Sequence, residues 1–175
     1  TIAIGDYVRH RDRGPHNLAI TYWVPRGDQS TLSELRRTPK MIKWLEKRLG
    51  PYPFDRIGAV VVPNFSAMET QTLVTMSRPA LDRPDAVVEH EMAHQWYGDA
   101  ISPRNWLGVW LNEGWAMWMQ QAFETYRGGY QYLGGMDNWW PYDEASRQES
   151  GPPGHWDRQS FGDLNIYLGP AMMLD

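Results

Sequence analysis

His90 and His94 stand four residues apart in the segment H-E-M-A-H, and Glu113 follows nineteen residues after the second of them. Residues four apart on a helix lie one above the other, so the spacing predicts a helix with both imidazoles on one face. Glu91, about 100° round, stands beside them. Glu113 lies in L-N-E-G at the head of a second helical pattern. If the three side chains are to meet, two helices must pack with these faces together, which is a severe restriction on the fold. The residue types suit zinc, which takes nitrogen and carboxylate oxygen in tetrahedral geometry; a catalytic site uses three protein ligands and leaves the fourth position to water. His90, His94 and Glu113 supply the three. Glu91 remains as a general base toward a water whose pKa the metal lowers to about 7. An isolated H-E-x-x-H on an exposed helix carries little weight; Glu113 in its own helical context makes the set read as a metallohydrolase with one zinc ion.

These segments resemble the aminopeptidase N family of zinc metallopeptidases, the gluzincins, which also contains leukotriene hydrolase. The matching stretches are H-E-M-A-H-Q-W-Y-G-D from His90 to Asp99, W-L-N-E-G from Trp110 to Gly114, S-A-M-E-T from Ser66 to Thr70 and P-Y-P-F from Pro51 to Phe54. The similarity covers most of the chain from about Asn17 onward. It implies a thermolysin-like zincin domain, in which a small sheet lines one side of a cleft and the two ligand-bearing helices form its floor. It also implies that Glu69, with Ala67 and Met68, binds the free amino terminus of a peptide substrate, although Ser66 and Thr70 stand where the family has Gly and Asn. By the same resemblance Tyr167 is the donor to the tetrahedral intermediate. Its stretch here is Y-L-G-P-A, with Gly169 and Pro170 in place of the family's Lys and Gly. Seven residues after Glu113 the family commonly has an acid that accepts from a ligand imidazole; Gln120 in that place is a neutral acceptor and leaves the ring less basic.

At 175 residues the chain has the size of one domain. A net charge of -4 with no basic stripe argues against nucleic acid as a partner. Apolar runs of only a few residues, and a mean hydropathy of -0.60, argue against a membrane span. Without cysteine there is no disulfide framework and no clue to the redox compartment, so localisation stays open. Both ends read as cut points. Residues 1–16 are expected to be the end of a preceding β-rich domain or a linker. Residues 17–175 are expected to be the catalytic domain, truncated at its C-terminal end and in contact with flanking domains.

Along the chain, Leu18 to Val24 alternates as a strand. A helix capped by Ser30 or Thr31 runs to about Leu49, with a break near Pro39. Arg56 to Val62 and Thr72 to Met76 read as strands, joined by the loop Pro63 to Gln71. The histidine helix is expected from about Pro84 to near Gly98, and the next from Leu111 to Tyr126. Beyond Gly129 the periodicity is weak, with a short helix near Tyr130 and another beginning after Pro170. Of the ten tryptophans, Trp106, Trp110, Trp115 and Trp118 are expected to pack in the core around the metal helices. His10, His16 and His155 read as solvated. Strands followed by helices give an α+β fold. The reading is a zinc aminopeptidase acting on peptides with a free amino terminus; the alternatives are an endopeptidase of the same fold and a non-catalytic scaffold.

Overall fold

Alternation of apolar and polar residues organises the first third of the computed structural model, which describes residues 2–64, 66–82, 87–129, 131–155 and 163–174. Strand β1 (Tyr7–Arg13) pairs antiparallel with β2 (Ala19–Pro25), from Tyr7 opposite Pro25 to Arg13 opposite Ala19. In β2 the residues Ile20, Tyr22 and Val24 point into the core. Strand β3 (Arg56–Val62) runs parallel to β2, and β4 (Val74–Ser77) runs parallel to β3, so the spatial order is β1-β2-β3-β4. Covered on both faces, β3 is apolar almost without interruption from Ile57 to Val62, as internal parallel strands are.

Strand β1 was not among the expected elements. Its outward positions are Arg9, Arg11 and Arg13, and its inward ones include His10 and Asp12, so it lacks an aliphatic signature. Charge of this kind suits an edge strand, where it discourages pairing with other chains. His10 is half-buried on the inward side rather than solvated, whereas His16 and His155 are exposed as expected. The fourth strand begins at Val74 rather than Thr72, because Thr72 turns with φ 63.

Helices cover one face of the sheet. The break expected near Pro39 falls earlier, between α1 (Leu32–Leu35) and α2 (Thr38–Leu49). Pro39 sits in the first turn of α2, where a missing N–H costs nothing. Thr31 does not cap by its side chain but donates to the Asp28 carbonyl at 2.9 Å. Met41, Ile42, Trp44 and Leu45 face the sheet from α2, each such burial being worth about 1.5–3 kcal/mol. After the short α3 (Arg78–Leu81), helix α4 (Val87–Ala93) ends before the expected Gly98, and its expected start at Pro84 lies outside the described residues. Its last turn tightens, with the amides of Gln95 and Trp96 bonded three residues back to Met92 and Ala93. His94 still keeps its bond to the His90 carbonyl at 3.3 Å, and so stays above it.

Helix α5 (Val109–Arg127) starts two residues before the expected Leu111 and ends at Gly128, which takes the left-handed conformation. One face of α5 joins the sheet core through Ala116, Met119 and Phe123. The opposite face, through Met117, builds a second core with Trp139, Leu168 and Ala171. That core is closed by α6 (Trp140–Ser150) and α7 (Leu168–Met172). The short helix expected near Tyr130 falls on a residue outside those described; α6 was not expected, and α7 begins before Pro170 rather than after it. Trp115 and Trp118 pack against the sheet core, but Trp106 is 71% exposed, which corrects its expected core role. The architecture is α+β.

Candidate metal centre

Packing of α4 against α5 brings the two motif halves together. The Nε2 atoms of His90 and His94 lie 3.1 Å apart, and Glu113 Oε2 is 3.2 Å from the first and 3.4 Å from the second. The outer nitrogens are already engaged: His90 Nδ1 is 3.1 Å from Gln120 Oε1, and His94 Nδ1 is 3.0 Å from the Tyr97 carbonyl. Both of these oxygens accept, so in the neutral form of each ring Nδ1 carries the proton and Nε2 turns a lone pair inward. Two lone pairs and a carboxylate converging within 4.8 Å repel one another unless positive charge lies between them. The electrostatics agree. Burial works against a charged His94, yet Glu113 outweighs it and raises the imidazole well above its ordinary value. Burial also opposes ionisation of Glu113, and the two imidazoles overcome this to hold it far below the usual carboxylate range.

Glu91 is buried beside this triad, and its Oε2 is shielded from solvent with no hydrogen-bond partner among the described residues. Burial pushes its carboxyl up to about 7 against the pull of His90 and His94. Glu69 is half-buried on the other wall, with a carboxylate oxygen within 4.8 Å of ligand atoms of Glu91 and His94. Its neighbour Met68 pairs through its backbone with Thr75 of β4, at 2.8 and 2.9 Å, which fastens the loop to the sheet edge. Tyr167 reaches in from the start of α7, its ring centre 6.0 Å from that of His90. Burial, followed by the nearby Glu113, Glu91 and Glu69, raises its hydroxyl, which therefore stays protonated as a donor.

His90, Glu91, His94, Glu113, Glu69 and Tyr167 line one cleft of about 840 Å³, with Ala67 and Met68 beside Glu69, whereas Gln120 stands behind it. The opposite wall, formed by Arg104, Asn105, Trp106, Val109 and Asn112, was missed by the sequence reading. Its only signal there is proximity to Glu113. Asp99 was missed as well; burial, then Glu69, pushes its carboxyl up to about 6.

Behind the cleft, Tyr97 stacks on Trp115 at 4.4 Å and joins the end of the α4 segment to α5. Deeper still, Arg37 is ion-paired with Glu89 of α4 and, at 2.7 Å, with Glu124 of α5, so one guanidinium ties both helices to the start of α2. Glu89 is wholly buried, and that burial pushes its carboxyl up to about 7 despite Arg37.

Residues 33–149 match the Peptidase family M1 domain. Aminopeptidase 2 of Candida albicans is 41% identical over 93 residues, covering 45% of this chain and 10% of that protein. Aminopeptidase N of Canis lupus familiaris is 28% identical over 141 residues, covering 70% of this chain and 14% of that protein. The fold superposes on the crystal structure of an M1 zinc metallopeptidase from Deinococcus radiodurans with a TM-score of 0.78 and 26% identity, over 97% of this chain and 40% of that one. The chain thus spans a small part of the length of these curated relatives. The family match takes in α4, the two histidines, Glu113 and the whole of α5, and so it rests on the elements that build the cleft. This chain belongs to peptidase family M1.

Proposed function

We propose that the chain is the catalytic part of a zinc aminopeptidase that removes amino-terminal residues from peptides. The observation that carries this reading is the convergence of three carboxylates and two imidazoles on one cleft in separable roles. His90 Nε2, His94 Nε2 and Glu113 suit zinc as a three-ligand set, and Gln120 and the Tyr97 carbonyl hold the two rings in the tautomer that ligation requires. Zinc, when bound there, supplies a Lewis acid that polarises the scissile carbonyl and makes water acidic enough to be deprotonated near neutral pH.

The remaining chemistry belongs to the chain. Glu91, with an oxygen that has no other partner among the described residues, takes the proton of the attacking water and passes it to the leaving amine. The protonated Tyr167 hydroxyl donates to the carbonyl oxygen as charge gathers on it. Glu69 meets the substrate ammonium in a charge-assisted pair and so sets the register at one residue from the amino terminus. Its place beside Glu91 favours this reading over an endopeptidase, whose cleft must run on past that point. Neighbouring segments of a longer protein are proposed to cover the exposed Trp106 and to complete the cleft.

The test is hydrolysis of L-leucine 4-nitroanilide against its N-acetyl form, before and after chelation. A strong preference for the free amine, lost with chelator and restored by zinc, is expected. Equal rates on the two substrates, or indifference to the chelator, would overturn the proposal.

A further inference from the structure

Gln95 follows the second histidine and is fully buried. A primary amide has two N–H donors and two acceptor lone pairs, and here all four are used. The Nε2 group donates to the Glu69 carbonyl at 3.0 Å and to Asp99 Oδ2 at 2.7 Å. The Oε1 atom accepts from the Tyr52 hydroxyl and from the Thr72 amide, each at 3.1 Å. The orientation is forced by the partners, since the Glu69 carbonyl can only accept and the Thr72 amide can only donate.

Two of these bonds grip the backbone of one loop, at Glu69 and three residues on at Thr72. Thr72 holds φ 63, a conformation that a β-branched residue keeps only when its surroundings impose it. The loop's other backbone anchor, the pairing of Met68 with Thr75, fixes it to the sheet. Gln95 fixes it to the segment that carries the histidines. The height of the Glu69 carboxylate above Glu91 and His94 therefore depends on a side chain that does not itself touch the cleft.

We propose that Gln95 is the positioning residue that sets Glu69 at its distance from Glu91 and His94, and through it the selectivity for a free amino terminus. The inference rests on the aminopeptidase reading of the site. It assigns Gln95 a role in discrimination between substrates, distinct from a general role in holding the core together. A misplacement of about 1 Å at a site that must match both an ammonium and a carbonyl can cost on the order of 100-fold.

The experiment compares the parent chain with Gln95→Met, which keeps the volume and removes all four bonds, and with Tyr52→Phe, which removes one. For each, zinc content, the ratio of kcat/KM on L-leucine 4-nitroanilide to that on its N-acetyl form, and amide hydrogen exchange at Thr72 are measured. Gln95→Met is expected to keep its zinc, to lower the ratio at least tenfold mainly through KM for the free amine, and to speed exchange at Thr72. Tyr52→Phe should move the same quantities less and in the same direction, and it decides the matter should Gln95→Met not fold. A folded variant that keeps the parent's ratio overturns the proposal, as does unchanged exchange at Thr72. If the parent itself shows no preference for the free amine, the aminopeptidase reading fails instead, and faster exchange at Thr72 in the variants still supports the grip of Gln95 on the loop.

Discussion

Gly114 and Pro170 are in such close contact that a Cβ at position 114 would lie 2.5 Å from the proline Cβ. Gly114 is the residue after Glu113 on α5, and Pro170 lies in the first turns of α7, three residues after Tyr167. The contact limits how near the Tyr167 turn can come to α5.

Gly114→Ala should therefore show two effects at once. Alanine favours the helix by about 1 kcal/mol, but overpacking against a rigid ring costs about 1–3 kcal/mol. A small net loss in urea unfolding is expected, together with a disproportionate fall in kcat as α7 and Tyr167 are pushed outward. An unchanged kcat in the folded variant would show that the contact does not position Tyr167.

Ligand and base can be separated by two substitutions. Glu91→Gln keeps size and polarity but cannot take a proton, so turnover should fall by about 100-fold or more while zinc remains bound. His94→Ala removes a ligand and should lose the metal. Metal analysis of both variants is the check, and loss of zinc from Glu91→Gln would mean that Glu91 is itself a ligand.

Removal of the Glu69 carboxylate should act on substrates rather than on metal. Hydrogen bonds to charged groups are worth about 1.5–3 kcal/mol, so Glu69→Ala should lower kcat/KM on free-amine substrates roughly 10- to 100-fold. The N-acetyl substrate, which has no ammonium to lose, should be nearly unaffected. Parallel losses on both substrates would assign Glu69 to another step.

Arg37 offers a stability test remote from the cleft. Arg37→Met leaves Glu89 and Glu124 buried with a partner missing, a change that typically costs 3–5 kcal/mol and, in a domain of this size, lowers Tm by roughly 10 °C. The double variant Arg37→Met with Glu89→Leu should recover part of that loss, since it removes a stranded charge as well. Thermal unfolding of the three proteins decides the point.

Legibility in the sequence followed chemical type and local spacing. That His90, His94 and Glu113 converge could be read from their types and spacing, and α5 because its buried and exposed residues alternate at helical spacing up to a glycine stop. Strand β1 was hidden because its pattern is one of arginines against His10 and Asp12 rather than of apolar against polar residues. Helix α6 was hidden because its one fully buried residue is a carboxylate, Asp143, which no hydrophobic period can reveal.

Gln95 was legible as part of a motif but not as a hub, because its partners Tyr52, Glu69 and Thr72 lie 43, 26 and 23 residues away. The departures at Gly169 and Pro170 also become intelligible only in three dimensions. A Cβ at 169 would stand 2.5 Å from Asp143 Oδ1, and Pro170 packs on Gly114, so each departure answers to a neighbour distant in sequence.

The ion pairs of Arg37 also bear on the order of assembly. Arg37 and Glu124 are 87 residues apart, and loop closure over that distance precedes any reward from the contact. As the chain emerges during synthesis, α2 and the first three strands can come together early. Glu89 can meet Arg37 in water at that stage, but Glu124 and Arg127, which help to surround it, arrive only with α5. Until then His90 and His94 lack Glu113, although Val88 and Met92 of α4 can already pack on the sheet-side core. Docking of α5 closes the buried ion pairs and brings Glu113 to His90 and His94 in one event. The cleft that gathers His90, His94 and Glu113 thus takes shape only with α5 in place, so its formation and the burial of the Arg37 ion pairs are one step.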